Sequence, residues 1–357
     1  GSLGNHYPIE SLINSQKLNM RKNNKINIIL PKKIKLRNKS FFSYFEKYVN
    51  LIQDTETIYS FNTLASILEL PLGICVPMDK ICPSLDAASN ITQSLLAERN
   101  IKSLFQLKSK DQEKGKSILK KLGLPSDAWY VTLHARSVGY RGENQSNTSD
   151  DFRNTDIKSY LKAIKFITDQ GGWVFRMGDP SMTKLKNMNN VIDYAHCDER
   201  SEFLDVFLGA TSKFCIGSSS GYYHIPFTFS VPVLFTNSPR FEEYYGLRKN
   251  NLYLPRMLNK KNEKIEIEKF MNTPLGIINN KNLYKQNNIG FIPNSEEDIY
   301  QATKEIYNNI ENNFSNVKRS QKQEKFIELA RKKSNQYSKI DLIPQANISV
   351  NFIEKEI

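Results

Sequence analysis

The chain has 357 residues, 39% of them hydrophobic, with 20 Phe and 17 Tyr, so it can bury the cores of two domains and is neither disordered nor fibrous. Its net charge of +13 suits anionic partners, and no apolar run approaches the ~18 residues of a membrane span. The four cysteines (Cys75, Cys82, Cys197, Cys215) form no CxxC pair, which argues against structural zinc and fits a reduced, cytoplasmic setting.

Gly1-Ser2-Leu3-Gly4-Asn5-His6 reads as a glycine loop between a strand and a helix, so the chain as it stands is expected to begin just after a first β-strand. The alternative is that Gly1-Ser2 is a cloning remnant at a disordered tip. In the loop reading, glycines such as Gly4 let a substrate approach the backbone beside Asn5, and His6 is a candidate base near neutral pH. Pro8 to Leu18 should be helical, with Pro in its first turn. Between Lys17 and Lys39 there are nine Lys or Arg and no acidic residue. That run suits an anionic membrane surface, a phosphorylated substrate or simply a solvated face. Nucleic acid is not expected, because no RNP-type strand or zinc-finger spacing accompanies the charge.

Ile26 to Leu30 reads as a strand, Phe41 to Leu51 and Asn62 to Leu70 as helices, and 71–83 as irregular. Helices follow over Asp86–Asn100 and Ser109–Leu122. From Trp129 onward, strands and helices alternate. Strands are expected at Trp129–His134, Trp173–Met177, Val191–Tyr194, Phe214–Ile216, Val231–Thr236 and Leu252–Pro255. Helices are expected over Asp156–Gln170, Met182–Met188 and Glu202–Ala210, then from Ser295 to about Asn312 and over Gln321–Tyr337. This is the pattern of βαβ units in a parallel sheet.

Polar residues collect just after these strands, where open α/β sheets bind ligands. They are His134 and Arg136 with Arg141 beyond, then Arg176 and Asp179, then Asp193 with Glu202 on the next helix. Ser218, Ser219, Ser220 and Gly221 follow the fourth strand, and Thr236-Asn237 the fifth. A Gly/Ser turn flanked by arginines would neutralise a diphosphate, while Asp193 or Glu202 would hold sugar hydroxyls. The rival reading is a set of ordinary helix caps. No Walker loop, GxGxxG, GxSxG elbow or convincing DxD metal motif is present, so no metal or cofactor is expected.

On His134-Ala135-Arg136, Arg153-Asn154-x-Asp156, Gly171 to Asp179, Ile192 to Ala195, Ser201-Glu202, Gly217 to Gly221 and Asn237-Ser238-Pro239, the chain resembles a family of bacterial glycosyltransferases associated with surface-polysaccharide gene clusters. That family is similar in plan to GT-B enzymes, and the His-x-Arg is similar to fucosyltransferase-like ones. The resemblance covers most of 129–240 and is weak before that. It implies two Rossmann-like domains facing across a cleft: an acceptor-side domain over 1–122, a nucleotide-sugar domain over 123–315, and a helix and tail over 316–357 packing back. It also implies a diphosphate contact for Arg136, and a cleft position for Gly4 and His6.

The expected activity is metal-independent transfer of a sugar from a nucleotide-diphosphate donor to a glycan or lipid-linked acceptor. The expected setting is cytoplasmic or peripheral on the inner membrane face. A nucleotide-sugar hydrolase or epimerase, or a non-catalytic nucleotide-sugar binder, are the alternatives.

Overall fold

A computed structural model of the chain describes residues 6–20, 24–33, 36–67, 85–137, 151–239, 241–271, 281–315, 317–338 and 342–357. Among the described residues, twelve strands run in chain order. The first five are β1 (Ile26–Leu30), β2 (Val49–Gln53), β3 (Tyr130–His134), β4 (Trp173–Arg176) and β5 (Val191–Ile192). Next come β6 (Phe214–Gly217), β7 (Val233–Ser238), β8 (Leu252–Pro255) and β9 (Met257–Lys260). The last three are β10 (Glu263–Lys264), β11 (Ile289–Ile292) and β12 (Asn347–Ile348).

The α/β expectation holds. Seven strands form one sheet in the order β12-β8-β7-β6-β3-β4-β5, and every neighbouring pair is parallel. Parallel strands are covered on both faces and so read as apolar runs; every residue of β6, β7 and β8 is buried. The helix Leu161–Asp169 covers the sheet through Ala163, Ile164 and Ile167, and Ser295 opens the helix Glu296–Glu311 with a capping box to Asp298. From β3 the chain winds outward through β4 to β5, then returns to place β6 on the other side of β3. The carboxyl ends of β3 and β6 therefore flank a topological switch point, where open α/β sheets leave a crevice.

The N-terminal part is smaller. Its described residues contribute a two-stranded parallel sheet, β1–β2, and helices that share one hydrophobic core with the large sheet. The helix expected over Phe41–Leu51 lasts one turn, Lys39–Phe42, opened by Asn38, whose side chain accepts from Phe41 N. Val49 onward pairs with Ile26 onward instead, because a β-prone Val-Asn-Leu-Ile run beside a free strand gains a full ladder. The helix expected from Asn62 starts earlier, at Thr55.

No helix forms over Met182–Met188. There the backbone is taken by side chains: Thr183 O accepts from Arg176, Leu185 N donates to Asp193, and Met182 O meets His196. The C-terminal tail supplies β12, an edge strand of the main sheet, and the helix Val350–Glu356. A three-stranded antiparallel sheet, β10-β9-β11, was not anticipated. No helix among the described residues is long and apolar enough to cross a membrane.

Candidate functional site

The switch point brings together the end of β3 and the turn after β6. Ser218 N donates to His134 O at 3.1 Å, and Arg136 N donates to Ser218 Oγ at 2.9 Å, so the two strand ends are stitched to each other. Gly217 permits this turn: a Cβ there would lie 2.9 Å from the Tyr223 Cβ. Ser219 Oγ donates to Glu243 Oε1 at 2.9 Å, and Ser220 Oγ pairs with His134 Nδ1 at 3.0 Å. Among the described residues, no acceptor takes the N–H groups of Ser219, Ser220 or Gly221. Three successive N–H groups left open at a partly exposed turn are available to donate to an anion.

His134 stacks on Tyr222 with ring centroids 5.6 Å apart. Burial, reinforced by the Arg176 charge, pulls its pKa down to about 4, so it is neutral at physiological pH. Arg136 is half-buried at the mouth, one Nη donating to Asn154 Oδ1, while Arg136 O accepts from Thr155 N at 2.9 Å.

Other expected residues are placed differently. Arg176 was expected on phosphates and Asp193 on hydroxyls, but they pair with each other at 2.8 Å in a buried site. Arg176 also donates to Thr183 O at 2.7 Å, and Asp193 accepts from Leu185 N at 2.8 Å. The pair thus ties down 182–185 instead of facing a ligand. A buried charge is strongly drawn to an opposite charge within reach, and the sequence does not show which ones meet. Asp179 accepts from Ser181 N and closes its own turn. Glu202 opens the helix Glu202–Thr211 and accepts from Lys39 N at 2.7 Å, so it joins the N-terminal part to the sheet edge. His6 opens the helix His6–Asn14, whose next residue, Tyr7, packs 5.1 Å from His224, just past the Ser turn. Gly4, Asn5 and Arg141 lie outside the described residues.

Two residues here, Glu243 and Arg256, were missed by sequence reasoning, whereas Asn237 was expected as a polar strand end. Glu243 bridges Ser219 and Ser238, at 2.9 and 2.7 Å. Asn237 adopts φ 53° and exchanges hydrogen bonds with Asn294. Arg256, directly after β8, is buried and bonds Asn237. Its signal was available, since it is a basic residue following a predicted strand, as Arg136 is. Among the described residues, no group of three or more His, Cys, Asp or Glu could hold a metal ion.

No protein-family model matches the chain, and no curated protein matches it by sequence. Solved structures similar to it include the Escherichia coli ADP-heptose lipopolysaccharide heptosyltransferase II, at 11% identity and a TM-score of 0.49, covering 87% of this chain and 97% of that one. The glycosyl transferase family 9 protein of Veillonella parvula DSM 2008 follows at 12% identity and a TM-score of 0.47, covering 86% and 94%. An E. coli heptosyltransferase solved with ADP is 10% identical with a TM-score of 0.41, covering 87% and 96%. At these identities and scores the likenesses assign no residue role and no activity to this chain.

Proposed function

We propose that the chain is a GT-B-like glycosyltransferase whose C-terminal half binds the diphosphate of a nucleotide sugar. One observation carries this reading: the sheet's switch point holds Arg136 on one side and the Ser219–Gly221 N–H groups on the other. A diphosphate seated there would meet a guanidinium and the open N–H groups of the turn, which would also stabilise it as a leaving group. In the transfer, an acceptor hydroxyl attacks the anomeric carbon, the bond from that carbon to the diphosphate oxygen breaks, and the nucleoside diphosphate departs. The hydroxyl proton goes to a base, for which His6, at the start of a helix beside the Ser turn, is our candidate. His134, neutral and bonded to Ser220, orients the turn rather than supplying a proton.

The acceptor, a glycan or lipid-linked sugar, would be presented by the N-terminal part. The exposed Lys25, Lys32, Lys33 and Lys39 there suit the anionic inner face of a membrane. With arginine and N–H groups meeting the diphosphate charge, turnover should persist in EDTA.

The test is a thermal-shift screen of UDP, GDP, CMP and ADP sugars, repeated with Arg136→Ala. A donor that raises the melting temperature of the wild type but not of the variant supports the reading. Unchanged donor affinity in the variant sinks it. Rapid release of free sugar without acceptor would instead indicate a hydrolase.

A further inference from the structure

Arg256 is 4% exposed. Its N–H donates to Ser238 O at 2.9 Å, and its guanidinium reaches three acceptors on two separate segments. Nε donates to Asn237 Oδ1 at 3.0 Å, one Nη to Phe152 O at 2.7 Å, and the other Nη to Asn154 O. None of these acceptors is a carboxylate, and among the described residues Arg256 makes no ion pair. Burial accordingly pulls its pKa down to about 10. A buried cation with only neutral partners is costly, so its retention needs a reason.

Geometry supplies one. A planar fork with five donors reaches three acceptors in fixed directions, which a lysine ammonium on a flexible stem does not. The Asn237 end of the clamp is rigid: its Nδ2 donates to Tyr160 Oη at 3.1 Å, and its Oδ1 also accepts from Asn294 N at 2.9 Å. The other end, residues 152–155, carries Arg136. Asn154 Oδ1 holds the Arg136 guanidinium, and Thr155 N holds the Arg136 carbonyl.

We infer that Arg256 is a positioning residue for the anion-binding edge: it clamps 152–155 against Asn237 so that Asn154 holds the Arg136 guanidinium at the switch point. Its unneutralised charge adds to the positive potential there. The clamp is a matter of geometry; only its consequence for a diphosphate rests on the proposed function.

Two measurements on the full chain test it. The first is hydrogen exchange of the Thr155 amide in Arg256→Gln and Arg256→Lys. Both variants lose the fork, so protection of Thr155 should fall by at least about tenfold in each while the Val131 and Leu133 amides keep theirs. The second is calorimetric titration with inorganic pyrophosphate in the wild type, Arg256→Gln, Arg136→Ala and the double variant. Arg256→Gln should bind about tenfold more weakly, and Arg136→Ala should cost clearly less in that background than in the wild type. A merely structural arginine would give additive losses.

Unchanged Thr155 protection, or additive losses, overturns the inference. A wild type that binds neither pyrophosphate nor any nucleoside diphosphate overturns the proposed function instead, and Thr155 exchange still decides the clamp. Should Arg256→Gln not fold, Asn154→Ala removes the relay alone, and unchanged pyrophosphate affinity in it overturns the inference.

Discussion

Two regions of this molecule bury arginines, and they treat the charge in opposite ways. Where the N-terminal helices meet the large sheet, Arg248 donates to Glu10, fully buried, at 3.0 Å. Gln93 and Asn14 also donate to that carboxylate, and Arg248 continues to Phe227 O and Ser230 Oγ. The charge is closed within the protein, and the network fastens the helix His6–Asn14 to the sheet. At the carboxyl edge, Arg256 has only side-chain and backbone carbonyl acceptors among the described residues, so its positive charge remains there, and Arg136 donates to Asn154 Oδ1 beside it. Arg176, paired with Asp193, lies at the same edge yet belongs to the first kind. A carboxylate acceptor makes an arginine glue, whereas the neutral oxygens around Arg256 leave its charge uncompensated.

That contrast can be broken by experiment. Removing glue should cost stability, so Arg248→Ala is expected to lower unfolding free energy by about 3 kcal/mol, because Glu10 is left buried without its cation. Urea unfolding measures this, and a loss below about 1 kcal/mol would mean the network does not fasten the two parts. Removing an edge arginine should cost binding instead. Arg136→Ala is expected to weaken donor binding by about 100-fold, ~3 kcal/mol, with stability within ~1 kcal/mol of the wild type.

Glu10 offers a third test through pH. Burial raises its pKa from 4.5 to about 7, so its stabilising contribution is full below pH 4.5 and is lost as pH rises through 7. Across that window the loss amounts to up to about 3 kcal/mol. Glu10→Gln should therefore gain stability relative to the wild type between pH 5 and 7.5; a difference flat with pH would show Glu10 ionised throughout.

The smallest effect concerns His134. Its pKa is depressed from 6.5 to about 4, so its contribution is present above pH 6.5 and lost as pH falls towards 4. Donor affinity should show no inflection near pH 6.5. An inflection there that vanishes in His134→Asn would put a charged imidazole at the site.

The parallel sheet was legible in the sequence because each strand carries its own evidence. Val131-Thr132-Leu133, Phe214-Cys215-Ile216 and Val233-Leu234-Phe235 are apolar runs ended by polar turns, and short-range periodicity is enough to find them. The same local reasoning put Arg136 and Ser218 to Gly221 at the sheet's carboxyl edge, since residues just past a strand reach its carboxyl end whatever the strand's neighbours are. It failed where local preference was overridden from afar. Val49–Gln53 became a strand only because β1 lies beside it, and 182–185 lost its helix to Arg176 and Asp193.

Side-chain partners were decided by tertiary structure alone. Arg176, Arg248 and Arg256 are chemically identical in sequence, and their acceptors lie 17, 238 and up to 104 residues away. The strand order that makes β3 and β6 neighbours was decided the same way: Val131 pairs with Phe214 and His134 with Gly217, each 83 positions apart in the chain. Hydrophobic patterning acts over a few residues, and so the sequence itself carries it. Coulombic pairing and strand order depend on which surfaces the folded chain brings together, and only the fold determines that.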